Sequence, residues 1–256
     1  MTARLAQVFR YPIKSVGSEE LRETGLTPGM GVPLDREWAV LNARAKITRL
    51  PDGRASAWGK KANFLTGRAG PSLMAVSASV QADGRLRLDH PDLRHLDIDP
   101  ALPADQEKLI AWLRPIWPED APAPASVVRA PGQPLSDEPE AFVSLIGAAS
   151  LDDMSARAGR PLARKRFRAN LWVEGWAPFG EFDLIGRDIR IGTAILRPVE
   201  RVGRCRATDA NPETGVRDID MLQLLEREYD HTDLGVFCRV IGAGAIARGD
   251  TVEVLG

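Results

Sequence analysis

Short stretches of alternating apolar and polar residues recur along most of the chain, and they predict strands. The alternation is clearest in RLAQVFRYPI and REWAVLN near the start, and in NLWVEG, DIRIGTAILRPVERV, GVFCRVIGA and DTVEVLG in the second half. A period of two is typical of strands that bury one face, because successive side chains point to opposite sides. Two hairpins are also predicted. One closes at Asp83-Gly84, a dipeptide suited to a type I′ turn, and the other at Gly192-Thr193.

Two stretches carry helical spacing instead. ADQEKLIAWL repeats Leu109, Ile110 and Leu113 along one face, and DIDMLQLLEREY is a second amphipathic segment. Ser150, followed by Asp153, predicts the N-cap of a short helix that ends near residue 157. Many short strands with few helices predict a mainly β protein of α+β type, a barrel or sandwich rather than a doubly wound sheet.

The segment RPIWPEDAPAPASVVRAPGQP contains six prolines in twenty-one residues. Helices and interior strands exclude this density of proline, because each proline lacks a backbone N–H group. We therefore interpret the segment as a linker or extended crossover. The domain boundary is placed near residue 122, which gives domains 1–121 and 122–256.

Composition and charge narrow the function classes. Thirty-four lysine and arginine residues against thirty-five acidic residues give a net charge of −1, so neither nucleic acid nor an anionic membrane surface is an expected partner. No apolar run is long enough for a membrane span, and the N-terminus lacks the apolar block of a secretory signal, so a cytoplasmic location is expected. Two cysteines cannot form a four-cysteine zinc site or hold an iron–sulfur cluster by the usual ligands. Redox chemistry would need electrons from another chain.

Two polar stretches follow predicted strands in the first half. YPIKS places Lys14 beside Ser15, and an ammonium with a hydroxyl suits an anionic ligand. A solvated strand end is the simpler interpretation, and the residues by themselves favour it. In LDREWAVLN, Arg36 either points into a site or pairs with Asp35 or Glu37.

The stretch RAGRPLARKRFRANLWV holds six basic residues and no acidic one. Four of them fit a solvated face: Arg157, Arg160, Arg164 and Lys165. Arg168 and Asn170 share parity at the start of a predicted strand, so their side chains are expected to face one way. Arginine binds phosphate bidentately and asparagine both donates and accepts, a combination that suits a phosphate- or pterin-like ligand.

RVGRCRATDANPETG contains Cys205 between Arg204 and Arg206. A free cysteine is usually part of the core, but flanking cations favour the thiolate, the form that attacks electrophiles and binds metals. Gly203 allows a ligand to approach the backbone closely. Cys238 lies in an apolar run and is predicted to be core. The histidines show no metal-binding spacing: His90, His95 and His231.

Taken in order, YPIKS, LDREWAVLN, FRANLWV, RCRATDANPETG and the closing IARGDTVEVLG resemble the MOSC family (molybdenum cofactor sulfurase C-terminal domain) with its N-terminal β-barrel domain. The resemblance covers nearly the whole chain and implies an N-terminal β-barrel-like domain followed by a MOSC β-barrel domain, with a molybdopterin-type molybdenum cofactor between them. Cys205 matches the position that supplies the catalytic thiolate to molybdenum. The positions around the pterin and its phosphate are matched by Lys14, Ser15, Arg36, Arg168, Asn170 and Arg204, and more weakly by Ser150. Thr208 matches a threonine beside the metal-ligand loop, and Ala169 stands where relatives commonly have proline.

Similarity to the amidoxime-reducing members of the family implies a molybdenum-dependent reductase of N-hydroxylated compounds, supplied with electrons by a separate donor protein. Some relatives carry a fused ferredoxin domain or a pyridoxal-phosphate domain. This sequence matches neither, so no pyridoxal phosphate, haem or iron–sulfur cluster is expected in the chain. Two alternatives stay open: a carrier of sulfur or of the molybdenum cofactor that uses Cys205, and a β-barrel scaffold in which the cysteine is incidental.

Overall fold

The computed structural model describes residues 2–57, 59–138 and 140–256, and the protein is mainly β with three helices, as predicted. The strands within these residues are β1 (Arg4–Arg10), β2 (Glu19–Leu21), β3 (Glu23–Leu26), β4 (Trp38–Asn42), β5 (Ser77–Val80), β6 (Leu86–His90), β7 (Leu93–Ile98), β8 (Pro124–Arg129), β9 (Val143–Gly147), β10 (Leu171–Glu174), β11 (Ile189–Ile191), β12 (Ala194–Gly203), β13 (Asp233–Gly242), β14 (Gly244–Ala247) and β15 (Val252–Val254). The helices are α1 (Pro103–Leu113), α2 (Ala148–Arg157) and α3 (Met221–Tyr229).

The largest sheet has eight strands in the order β15-β11-β12-β13-β9-β10-β1-β2. Its strands pair antiparallel except for β9 and β10, which run parallel. The alternation in the sequence supplies one apolar face, and Leu5, Leu145 and Val236 in that core are fully buried. Cys238 lies in the same core, as predicted.

A second core lies among the smaller sheets of the first half. The three-stranded sheet β5-β6-β7 and the pair β4-β8 enclose it together with α1, which contributes Leu109 and Leu113. A third core lies between the eight-stranded sheet and helices α2 and α3, and it contains Phe9, Tyr11 and Trp172. The candidate site is built over this third core.

Strand pairing joins the two halves of the chain. β1 and β3, from the first half, pair with β10 and β14 from the second. The proline-rich segment, interpreted above as a linker or extended crossover, contains strand β8, which pairs with β4. Proline is accommodated because Pro124 is the first residue of β8, a position at which a strand tolerates the missing backbone N–H group. The division into 1–121 and 122–256 stays a prediction.

Both predicted hairpins are present, between β5 and β6 and between β11 and β12. The first turn is longer than predicted. Gln81 N–H donates to Arg85 O, and Gly84 has a φ of 85° whereas Asp83 is not left-handed, so the loop is not a two-residue type I′ turn. Helix α2 begins with Gly147 as its N-cap, and the predicted Ser150 cap is wrong because that hydroxyl donates to Glu181 instead.

Candidate functional site

Tyr11 is the centre of the site, although no local pattern in the sequence marked it. It follows β1 and is fully buried. Its N–H donates to Asp35 Oδ1 (2.8 Å), and its hydroxyl donates to Ala169 O (2.8 Å). The ring stacks against two guanidinium groups, that of Arg168 at 4.3 Å and that of Arg36 at 4.9 Å from its centroid. Tyr11 therefore joins residues that are far apart in the sequence on one aromatic platform.

The two arginines on this platform adopt unusual backbone conformations. Arg36 and Arg168 both have a φ of 49°, and Ser15 has a φ of 61°. Left-handed conformations cost energy for residues other than glycine, and they cluster at functional sites. Because Arg168 is left-handed, the predicted strand parity between Arg168 and Asn170 does not apply. Arg168 instead directs Nη1 to Gly17 O (3.0 Å).

Arg36 pairs with Asp35, one of the two predicted alternatives, and it also reaches the segment that carries Arg168. Its Nη1 pairs with Asp35, and its Nη2 donates to Arg168 O (3.0 Å). The same Asp35 carboxylate thus binds the Tyr11 backbone and the Arg36 side chain. This arrangement fixes the left-handed turn at Arg36 against the aromatic platform.

Arg204 brings the end of β12 to the same region. Its Nε donates to Leu234 O (2.9 Å) and its Nη1 to Phe167 O (3.0 Å). Among the described residues, neither Arg204 nor Arg168 forms an ion pair with a carboxylate. Their hydrogen-bond acceptors are backbone carbonyls, so within the described residues no carboxylate in direct contact neutralises either charge.

Desolvation has a clear electrostatic consequence at these two side chains. Burial and, to a smaller extent, the neighbouring Arg36 lower the pKa of Arg168 to about 10. Burial also lowers the pKa of Arg204 to about 10, against the opposing influence of Cys205 and Glu181. Both shifts mean that the charged form is destabilised by its surroundings, so an anion bound nearby would stabilise it.

Cys205 lies immediately beyond Arg204, and its side chain is exposed and free. Its carbonyl accepts hydrogen bonds from Thr208 N (3.0 Å) and Thr208 Oγ1 (2.8 Å), which close a tight turn. Thr208 therefore shapes the loop that follows the cysteine. Cys238, by contrast, is buried, and burial raises the pKa of its thiol.

Arg166 holds this turn through hydrogen bonds to its backbone carbonyls. Its position in a run of basic residues did not distinguish it from its neighbours. Its side chain is 3% exposed. Nη1 donates to Thr208 O (3.4 Å) and Asp209 O (3.2 Å), and Nη2 pairs with Asp218 (2.8 Å). The predicted solvated face does describe neighbouring Arg160, which is half-exposed and pairs with the same Asp218. In the basic run, burial separates the structural arginine from the surface ones.

Lys14 is buried, so the interpretation of a solvated strand end is wrong for it. Its Nζ donates to Leu135 O (3.0 Å), Ser136 O (2.8 Å) and Asp137 Oδ1 (2.7 Å). Burial lowers the pKa of Lys14, and Asp137 opposes that shift. The ammonium group lies close enough to Arg36 for the two cations to repel each other. Arg36, Arg168 and Arg204 together form what we call the cationic cluster. Lys14 and its neighbour Ser15 border it.

Asn170 and Ser150 differ from the other predicted residues because their side chains are used inside the protein. Asn170 Oδ1 accepts from Ser144 N and Oγ, and its Nδ2 donates to Phe9 O (3.2 Å). Ser150 Oγ donates to Glu181 and accepts from the Phe179 N–H. Both side chains thus form hydrogen bonds inside the protein, with backbone groups of neighbouring segments.

The residues present fit an anionic cofactor that brings its own metal ligands. An exposed thiol is a soft donor for a soft metal, and the partly desolvated cations suit a phosphate and a dithiolene. Across residues 2–57, 59–138 and 140–256, no group of three or more His, Cys, Asp or Glu side chains could hold a metal ion. A metal at Cys205 would therefore take its remaining ligands from the cofactor.

These features describe a mainly β protein with a cationic cluster on a buried tyrosine and one free thiol beside it. Residues 2–114 match the MOSC N-terminal beta barrel domain, and residues 132–253 match the MOSC domain. The chain belongs to the MOSC family, as the sequence resemblance implied.

Similar proteins include two curated relatives. Mitochondrial amidoxime-reducing component 1 of Xenopus laevis is 24% identical, with 97% of this chain and 81% of the relative covered. The Mus musculus protein of the same name is 23% identical, covering 98% and 82%. Among solved structures, the YUAD protein from Bacillus subtilis matches with a TM-score of 0.44 at 14% identity, covering 99% of this chain and 96% of that one. YiiM from Geobacillus stearothermophilus has a TM-score of 0.34 at 17% identity, over 44% of this chain and 54% of that chain.

Proposed function

We propose that the protein binds a molybdopterin-type molybdenum cofactor and reduces N-hydroxylated compounds. The observation that carries the proposal is the exposed thiol of Cys205, which follows directly on a guanidinium that lacks a carboxylate partner among the described residues. The similarity to amidoxime-reducing components, at 23–24% identity, supports the reduction of N-hydroxylated compounds as the reaction class.

The cationic cluster supports the choice of an anionic cofactor. Arg168 and Arg36 share the Tyr11 ring, and only Arg36 has a carboxylate neighbour in contact. Removing cations from water is unfavourable unless an opposite charge compensates them. A bound phosphate or dithiolene would provide that compensation, so these arginines would position the cofactor. Ser15, whose hydroxyl makes no hydrogen bond to any described residue, would donate to it.

When bound, the molybdenum cofactor supplies two-electron redox chemistry. The residues of this chain would hold it in place and shape access to it. Cys205 would add one sulfur ligand, and the turn closed by Thr208 and Arg166 would keep that sulfur at a fixed position. Reduction of an N–OH group takes up two electrons and two protons and releases water. In our proposal a separate donor protein provides the electrons.

A cytoplasmic location stays a prediction. Within the described part of the chain, no helix has the length and apolar character needed to cross a membrane.

The proposal is tested by producing the protein in a host that makes the cofactor and measuring molybdenum and pterin content. Wild type should contain both, and it should reduce hydroxylamine with chemically reduced methyl viologen as donor. Cys205→Ser should lose turnover. Cys238→Ser is the matched control, because that sulfur is buried in the sheet core and should not affect metal content per folded molecule. Absence of molybdenum, together with equal hydroxylamine reduction by wild type and Cys205→Ser, would refute the proposal.

The exposure of Cys205 also keeps a carrier role open. A carrier would accept sulfur on this thiol. Mass spectrometry after treatment with a sulfur donor would then show a persulfide at Cys205 and no turnover with a reductant. An unmodified thiol alongside turnover would exclude the carrier.

A further inference from the structure

An aromatic cluster lies around His231, on the segment that precedes β13. It is separate from the cationic cluster described above. It comprises four partly exposed rings: Phe179, Phe182, Tyr229 and His231. Phe179 lies 4.5 Å from Tyr229 and 5.5 Å from His231 between ring centroids, and Phe182 lies 5.7 Å from His231. Aromatic rings that remain accessible offer flat apolar surface to a ligand.

The sheet register connects this cluster to Cys205. Gly203 on β12 is the antiparallel partner of Asp233 on β13, and Arg204 N–H donates to Thr232 O (2.9 Å). Cys205 and His231 each lie one residue beyond this hydrogen bond, where the chain leaves the ends of the paired strands. The aligned strand ends therefore bring the segment that carries Cys205 close to the segment that carries His231.

One face of β12 leads from Cys205 to the other end of the cluster. Arg201, Gly203 and Cys205 are exposed, whereas Val202 between them is buried, so the three exposed positions share a face. A Cβ added at Gly203 would meet only Asp233 Oδ1, at 3.6 Å, within 4 Å. The middle of this face is therefore low and open, and a flat ring can lie over it. At about 3.3 Å per residue, the Cα atoms of Arg201 and Cys205 are about 13 Å apart.

This face carries a cation at one end and a carboxylate at its middle. Arg201 stacks on Phe182 at 4.2 Å from the ring centroid, and it forms no ion pair with any described residue. Asp233 lies beside Gly203, in the middle of the face. A ligand with a cationic or polar nitrogen group near Cys205 and an anionic group near Arg201 would match this pattern.

We infer that this face binds the substrate, and that it selects aryl N-hydroxylated compounds that carry an acidic substituent. The inference rests on the proposed function for the reaction, but the charge pattern and the aromatic cluster define the preference. The aryl ring would lie over Gly203 against Phe182 and His231. Its carboxylate would meet Arg201, and its N–OH group would lie toward Cys205.

The test compares 4-carboxybenzamidoxime, benzamidoxime and hydroxylamine as substrates of the molybdenum-loaded protein. Wild type should show a higher kcat/KM for the carboxylated compound than for benzamidoxime, by about two- to fivefold for one exposed ion pair. Arg201→Gln should abolish this ratio. Arg239→Gln is the control, because Arg239 is also exposed and stacks on Phe142, 5.9 Å from that ring's centroid, and should keep the ratio.

A second pair of variants tests the ring. Phe182→Leu keeps the apolar volume and should lower the ratio of benzamidoxime to hydroxylamine kcat/KM by about two- to tenfold. Phe237→Leu is the matched control, because Phe237 stacks with Phe142, 5.2 Å away, outside this cluster. An unchanged ratio in Phe182→Leu, or a carboxylate preference that survives Arg201→Gln, overturns the inference.

A binding measurement separates this inference from the proposed reaction. Calorimetric titration of the same protein with 4-carboxybenzamidine and benzamidine should show tighter binding of the former, and Arg201→Gln should remove the difference. If this result appears while no substrate is reduced, the proposed function fails and the binding face stands. Equal binding of the two amidines by wild type refutes the face, whatever the turnover.

Discussion

Replacement of Arg166 by methionine is the sharpest test of how the loop after Cys205 is held. Methionine keeps much of the apolar bulk of the side chain but removes every hydrogen-bond donor. The Thr208 carbonyl, the Asp209 carbonyl and the Asp218 carboxylate each lose a charged donor at 3.4, 3.2 and 2.8 Å.

The magnitude follows from what each acceptor retains. Breaking a buried ion pair by removing one partner costs about 3–5 kcal/mol. Asp218 keeps Arg160 at 3.0 Å and Asn211 at 3.0 Å, and Asp209 O still accepts from Asp218 N. Arg166 Nε has no hydrogen-bond partner among the described residues, so its removal returns about 1 kcal/mol. We therefore expect Arg166→Met to lower the free energy of unfolding by about 2–3 kcal/mol, or Tm by about 5–10 °C.

The assay is urea denaturation at neutral pH, paired with the rate at which Ellman's reagent modifies Cys205. The rate should rise in Arg166→Met because the turn at 205–209 loses its support. Arg160→Met is the matched control. It contacts the same Asp218 carboxylate from a half-exposed position and should cost no more than about 1 kcal/mol. Equal destabilisation by the two variants, or an unchanged thiol reaction rate, would refute this explanation.

Three further predictions concern the two thiols, Glu181 and Tyr11. Native protein should react with one equivalent of Ellman's reagent at Cys205, and Cys238 should react only after unfolding, because burial raises the pKa of that thiol; two equally fast thiols would contradict the fold. Burial raises the pKa of Glu181 against the opposing hydrogen bond from Ser150, so stability should fall as pH rises from the unfolded value of about 4.5 through the folded pKa. Glu181→Gln should flatten that decline in urea midpoints measured from pH 4 to 8, and a slope identical to wild type would exclude Glu181 as its source. Tyr11→Phe removes the hydrogen bond to Ala169 O but keeps the platform, so it should cost about 1 kcal/mol, whereas Tyr11→Leu should cost more, as thermal unfolding would show; equal losses would mean that the stacked arginines add nothing.

Much of the fold could be predicted because local patterns agree with it. Alternation located the main strands, and α1 and α3 follow the periodic segments ADQEKLIAWL and DIDMLQLLEREY. The errors lie where tertiary contacts override a local preference. Ser150 has the composition of an N-cap, but Glu181 from a distant segment takes its hydroxyl. Pro124 lies in a segment interpreted as a linker or extended crossover, but it is the first residue of β8, a position that tolerates proline, and the strand pairs with β4.

The site was predictable only in part. The flanking arginines set Cys205 apart from Cys238, and the structure finds one thiol exposed and the other buried. The basic run between 157 and 168 concealed Arg166, because a charge in sequence does not reveal whether it will be buried. Tyr11 and Asp137 gave no signal, since their importance comes from partners more than twenty residues away.

Local patterns predicted most of the strands, helices α1 and α3, the core position of Cys238, and the resemblance of the motifs to the MOSC family. These depend on periodicity and on neighbours along the chain. Tertiary contacts place Arg36 and Arg168 on one tyrosine ring, bury Lys14 against Asp137, and join Arg204 to Thr232 at the ends of β12 and β13. Desolvation and electrostatic interaction depend on distance in space, and strand pairing sets that distance between residues far apart in the chain.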